Sequence, residues 1–196
     1  MDKWRAIYLI FVFHCGLLVS FEKLPQEYQI CYGNPHAPIH VVEYFSFSCS
    51  KCVKFLKEDF SSIRQNYIDT QKVYWVFHPD PADLLTLQFM VGLEKLSSPQ
   101  KRLLFETLFT HLKDKTFHLG CFIIQTAMES LKQPLPQLDK MEFIETTDAF
   151  KRALAFLKQK GVITTIPTVE INGKIHDEYP TRQFLVKQFE AQGAKS

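Results

Sequence analysis

Two cysteines separated by two residues, Cys49 and Cys52, stand in the stretch Ser46-Phe47-Ser48-Cys49-Ser50-Lys51-Cys52. A strand-like run at 40–45 precedes them and a helix-like run at 53–63 follows. A thiol at the first turn of a helix meets unpaired backbone N–H groups and the positive end of the helix dipole, and both favour the thiolate. The second cysteine lies one turn on along the same face, where it can attack a mixed disulfide formed at the first. The chemistry this spacing suits is a dithiol–disulfide cycle. Glu43, six residues before Cys49 in an apolar strand, adds a carboxyl group whose pKa burial would raise and which could then serve proton transfer at Cys52. Phe45, Phe47 and Trp75 are candidates for the lining of a peptide groove.

The elements that must position these residues read as an alternation of strand and helix signals. Residues 29–32 suit a short strand, Gly33 to Pro38 a turn, and the β-branched and aromatic run 39–45 a buried central strand. The helix opened by the cysteines is expected to end near Asn66, and 72–77 reads as the next strand. Asp80 suits an N-cap, Pro81 the first helical position, and Asp83 a complement to the dipole. Helical patterning follows, with Leu85, Phe89, Leu93 and Leu96 on one stripe and Ser98-Pro99 opening a helix that bears Leu104, Leu108 and Leu112. Further helices are expected at 119–132 and at 148–160, the last on a stripe of Phe150, Leu154 and Leu157. Strand signals return at 168–171 and 174–176 around the hairpin dipeptide Asn172-Gly173, and Pro180-Thr181 introduces a final helix with Phe184, Leu185 and Phe189. A helical block inserted between two halves of one sheet accounts for this order.

The 196 residues and 46% hydrophobic content suit one ordinary domain carrying an insertion. With 23 basic and 21 acidic side chains interspersed, no basic stripe of the kind nucleic acid requires is present. Lys3 and Arg5 precede an apolar run from Ala6 to Val19, shorter than the ~20 residues of a usual spanning helix. Residues 1–20 are therefore read as a signal peptide, with an uncleaved signal anchor as the alternative. Export would leave Cys31, Cys49, Cys52 and Cys121, so Cys31 and Cys121 either form a structural bridge or stay two inert thiols. The histidines have no metal-ligand spacing with the cysteines, and no metal site or cofactor is expected.

Three blocks in order, Gly33-Asn34-Pro35-x-Ala37-Pro38, Glu43-Tyr44-Phe45-Ser46-Phe47-Ser48-Cys49-x-x-Cys52 and Ile166-Pro167-Thr168-Val169-x-Ile171-Asn172-Gly173-Lys174, make the chain from about Gln29 onward resemble the DsbA-type thiol:disulfide oxidoreductases. The resemblance implies an α/β thioredoxin fold, built from 26–80 and 161–196, with an inserted helical domain at 81–160. It implies that Cys49 is the exposed nucleophile, Cys52 the buried resolving cysteine and Glu43 the buried acid beneath them. Pro167 takes the place of the family's cis-proline, with the Ile166 backbone facing an extended substrate. The implied function is a bacterial periplasmic oxidase that introduces disulfides into unfolded exported proteins and is reoxidised by a DsbB-like membrane quinone reductase. A monomer is expected, because 21–27 is too short for a dimerisation region. The alternatives are a disulfide reductase or isomerase, and a periplasmic peptide-binding or chaperone module with a structural CxxC. Ser50 and Lys51 replace the Pro-His pair of the best-known family pattern and point to a weaker oxidant.

Overall fold

The computed structural model describes residues 23–94, 96–111, 124–126, 128–130, 132, 140–159 and 165–194. Its centre is a five-stranded sheet: β1 (Ile30–Tyr32), β2 (Ile39–Phe45), β3 (Val73–Pro79), β4 (Thr168–Ile171) and β5 (Lys174–His176), in spatial order β1-β3-β2-β4-β5. Only the β2–β3 pair is parallel, and the connection between these strands carries the cysteine helix. The β-branched and aromatic content of β2 fits this central, largely buried position. Gly33, at φ +88°, is required by packing as well as by its dihedral: a Cβ there would lie 2.7 Å from the Val73 carbonyl oxygen. Asn172 (φ 46°) and Gly173 (φ 84°) form the β4–β5 turn.

Helix α1 (Ser50–Glu58) follows β2, and α2 (Phe60–Ile63) continues it through a π-helical turn, Arg64–Ile68. The expected stop at Asn66 is therefore corrected: Asn66 donates from Nδ2 to the Ser62 carbonyl, and burial of Tyr67 and Ile68 carries the coil onward. The helical block between β3 and β4 comprises α3 (Leu84–Leu93), α4 (Ser98–His111), helical turns at 124–126 and 128–130, α5 (Met141–Ile144) and α6 (Asp148–Gln159); α7 (Arg182–Ala191) closes the chain. Half of the helix expected at 119–132 lies outside the described residues, as do residues 1–20, Leu112 and Cys121, and 124–126 and 128–130 within it are helical.

Three local expectations change. Asp80 does not cap α3; its N–H bonds to the Phe45 carbonyl at 2.7 Å, prolonging the β2–β3 ladder, and Asp83 takes the N-cap. Helix α3 has no single apolar stripe, since every residue from Leu85 to Leu93 is buried between sheet and neighbouring helices. In α6 the buried face is Ala149, Ala153 and Phe156, leaving Leu154 and Leu157 exposed and Phe150 half-buried. Size decided the phase of α6: two alanines permit close approach to α3, and Phe156 lies 4.9 Å from the His78 ring.

A cluster of rings joins sheet to insertion. Phe45 and Phe47 meet Phe89 of α3 and Phe105 and Phe109 of α4, with centroids 4.8 to 6.5 Å apart. Because Phe47 belongs to the loop leading into α1, this cluster reaches the cysteines directly.

Candidate active site

Cys49 is the N-cap of α1, extended at φ −83° and ψ 109°, and its Sγ accepts the Cys52 N–H at 3.3 Å. The sulfur is half-buried and donates to the Ile166 carbonyl at 3.6 Å. Cys52, one turn on, is fully buried. The pair divides one proton unevenly. The Cys49 pKa is drawn down to about 6, chiefly by the Cys52 thiol hydrogen bond, against burial; the Cys52 and Lys51 N–H groups and the Lys51 charge add to the lowering. Cys52 moves the opposite way, raised first by that same bond, then by burial and by the Glu43 charge, while the Ser46 backbone N–H opposes the rise.

Glu43 lies wholly buried on β2, and neither carboxyl oxygen has a hydrogen-bond partner among the described residues. Burial raises its pKa; the neighbouring Trp75 indole N–H works against the rise, and the Cys49 charge adds to it. The Ile166–Pro167 bond is cis, and Pro167 is buried at the entrance to β4. Ser50 and Lys51 are both exposed in the first turn of α1.

The structure thus brings together Cys49, Cys52, Glu43, Ile166 and Pro167. It does not bring Trp75 and Phe47 to a groove. Trp75 has no exposed surface and stacks on Phe55 at 5.7 Å, and Phe47 is sealed in the ring cluster, so both act from inside the core. Cys31 sits half-buried in edge strand β1; Cys121, with which it either forms a bridge or stays a separate thiol, lies outside the described residues. His78 is a satisfied core residue: neutral, with its pKa down at about 3 through burial, it accepts the Leu24 N–H on Nε2 and leaves the Nδ1 proton for the Pro79 carbonyl. Among the described residues no group of three or more His, Cys, Asp or Glu is arranged to hold a metal, and no helix is long and apolar enough to cross a membrane.

Two contacts escaped the sequence reading. Tyr179 donates its hydroxyl to the Lys51 carbonyl at 3.3 Å, bracing the first turn of α1. Asp83, expected only to complement a dipole, reaches back to Ser46 and Ser48 of the loop before Cys49. The N-cap preference of aspartate was the available signal for Asp83; none marked Tyr179.

Comparison with known proteins agrees with this architecture. The sequence profile of the family described as Thioredoxin matches residues 25–191. The solved structure of α-DsbA1 from Wolbachia pipientis is similar at a TM-score of 0.69 and 20% identity, over 87% of this chain and 94% of that one. BdbD from Bacillus subtilis, in its oxidised form, gives 0.67 and 20%, over 87% and 95%. A protein-disulfide isomerase from Novosphingobium aromaticivorans gives 0.59 and 15%, over 85% and 98%. At these identities the likeness establishes the fold, a thioredoxin fold with an inserted helical domain. No curated protein sequence matches the chain.

Proposed function

The chain belongs to the thioredoxin family, and on that premise we propose that it is an exported thiol:disulfide oxidoreductase acting as an oxidase through Cys49 and Cys52. The observation that carries this reading is the placement of the Cys49 sulfur, half-buried at the N terminus of α1, 3.3 Å from the Cys52 N–H and 3.6 Å from the carbonyl before the cis-proline.

In the oxidised protein a substrate thiolate attacks Cys49 Sγ. The substrate–Cys49 bond forms, the Cys49–Cys52 bond breaks, and Cys52 leaves as a thiolate. Its raised pKa makes it take a proton readily, and Glu43, itself inclined to hold one and near enough for its charge to act on Cys52, is the proposed donor. A second substrate thiolate then attacks the substrate sulfur, and Cys49 leaves as the stabilised thiolate. The substrate has lost two electrons and the protein has gained them as a dithiol. Reoxidation falls to a disulfide-generating partner, a DsbB-like membrane quinone reductase. Ile166 and Pro167 present backbone to an extended substrate beside the sulfur.

The test is disulfide formation in a reduced, unfolded client carrying two cysteines. Oxidised wild type should form the bond and Cys49→Ser should not, while Cys52→Ala, its Cys49 first converted to the mixed disulfide with oxidised glutathione, should release glutathione to a single-cysteine client thiolate and hold that client as a mixed disulfide. Undiminished client oxidation by Cys49→Ser would instead leave a peptide-binding module with a structural CxxC. One observation favours a second reading, reductase or isomerase: Ser50-Lys51 offers no rigid or aromatic support to the Cys49 thiolate. Equilibration of the pair with glutathione separates the two, a strongly oxidising disulfide excluding the second.

A further inference from the structure

We infer that Asp83, the cap of the first inserted helix, is a positioning residue for the redox pair, holding the Ser46-Phe47-Ser48 loop from which both sulfurs take their places. This deepens the dithiol–disulfide reading and rests on it.

Capping α3 needs one bond, from the Thr86 N–H. The Asp83 carboxylate accepts four. Oδ1 receives the Thr86 N–H at 2.9 Å and the Ser48 hydroxyl at 2.9 Å; Oδ2 receives the Thr86 hydroxyl at 2.6 Å and the Ser46 hydroxyl. Those bonds fill the roughly four lone-pair sites a carboxylate has. Thr86 Oγ1 in turn accepts the Phe47 N–H at 3.1 Å, and Ser46 Oγ accepts the Ser48 N–H at 3.0 Å. All three residues between β2 and Cys49 are thereby tied to one side chain.

Ser46 passes the constraint to the sulfurs. Its carbonyl accepts the Cys49 N–H at 3.2 Å, which fixes the backbone that carries the Cys49 sulfur. Ser46 and Thr86 are buried, so their bonds to Asp83 compete little with water, while the Ser48 hydroxyl binds from the exposed side. The ring of Phe47 fastens the same loop to the insertion from its apolar side. A carboxylate acting by charge would disfavour a nearby thiolate; one acting by position favours it, so the two roles differ in sign.

The test titrates the Cys49 thiolate by its ultraviolet absorbance in the reduced protein, with chemical denaturation in parallel. Asp83→Ser keeps a cap for the Thr86 N–H but loses the reach to the loop. Ser46→Ala with Ser48→Ala keeps the cap and removes the loop donors. Each should raise the Cys49 midpoint by about 0.5–1 pH unit, a three- to tenfold loss of affinity for the charged form. Combining them should add nothing further, since both break one network. Asp83→Asn, which retains shape and one acceptor, should stay close to wild type. Unchanged midpoints alongside reduced stability would overturn the inference in favour of a plain helix cap, and a lowered midpoint in Asp83→Ser would overturn it in favour of a charge effect. Should Asp83→Ser fail to fold, the serine pair decides alone. The titration reads the thiolate whether or not clients are oxidised, so an inactive wild type would count against the functional proposal and not against this one.

Discussion

Glu43 and Glu170 lie one register step apart on opposite faces of the sheet: Glu43 pairs with Val169, and its neighbour Val42 pairs with Glu170. On the Glu170 face polar groups meet partners. Lys23 Nζ lies 2.7 Å from Glu170 Oε1, the Tyr44 hydroxyl donates to Oε2 at 3.2 Å, and His78 takes the Leu24 N–H at 2.8 Å. On the Glu43 face the carboxyl oxygens have no partner among the described residues. Isolating a polar group in this way is costly, and a buried acid answers by holding its proton. A carboxylate fixed by a cation and a hydroxyl serves structure, whereas one that faces only the Trp75 indole N–H under burial favours keeping its proton. The contrast sets the proposed chemistry on one face of the sheet and the contacts of Lys23 and Leu24 on the other.

The most severe challenge to that contrast is Glu43→Gln set against Glu170→Gln. On the proposed mechanism Glu43→Gln should slow disulfide exchange about a hundredfold, within the usual range for general acid–base groups, while the Glu170 variant keeps wild-type rates; equal rates in stopped-flow exchange would abolish the distinction. Next comes pH. With its folded pKa raised above the ordinary 4.5, Glu43 ionises more easily in the unfolded chain, so its contribution to stability declines as pH rises from that value toward its folded pKa. His78 runs the other way: with a folded pKa of about 3 against an ordinary 6.5, the unfolded chain takes the proton first, and stability is lost as pH falls through that window. Each slope can reach about 1.4 kcal/mol per pH unit. Denaturation across pH should find Glu43→Gln relieved of the first loss with the second intact.

Smaller effects sharpen the same picture. Glu170→Ala should cost about 1–2 kcal/mol in denaturant unfolding, because it removes an acceptor of the Tyr44 hydroxyl and the ion-pair partner of a partly exposed lysine. Lys51→Ala should raise the Cys49 titration midpoint by only about 0.3 pH unit, since an exposed ammonium is well screened. A shift as large as that expected from the Ser46 and Ser48 substitutions would move the control of the thiolate from backbone and loop to the dipeptide.

What could be read along the chain was chemistry between near neighbours. Cys49 and Cys52 at a helix start, the Asn172-Gly173 turn and the Thr181 cap of α7 are settled within about one turn of backbone. Contacts between distant segments were not legible. Phe47 and Trp75 have the composition of a groove but face inward, and α6 buries alanines in preference to the leucines beside them because the approach of α3 selects for size. Asp83 looked like an ordinary first-turn acid until the fold set it against a loop more than thirty residues upstream.

The order of strands and helices and the dithiol at the start of α1 follow from residues close in the chain, since hydrophobic period, turn residues and helix-end chemistry are local. Which acid gains a cation, which is buried without one and which side chain holds the cysteine loop follow from long-range packing. Desolvation and hydrogen bonding belong to a residue's surroundings, and here those surroundings come from Lys23, Trp75, Thr86 and Ile166, segments that only folding brings together.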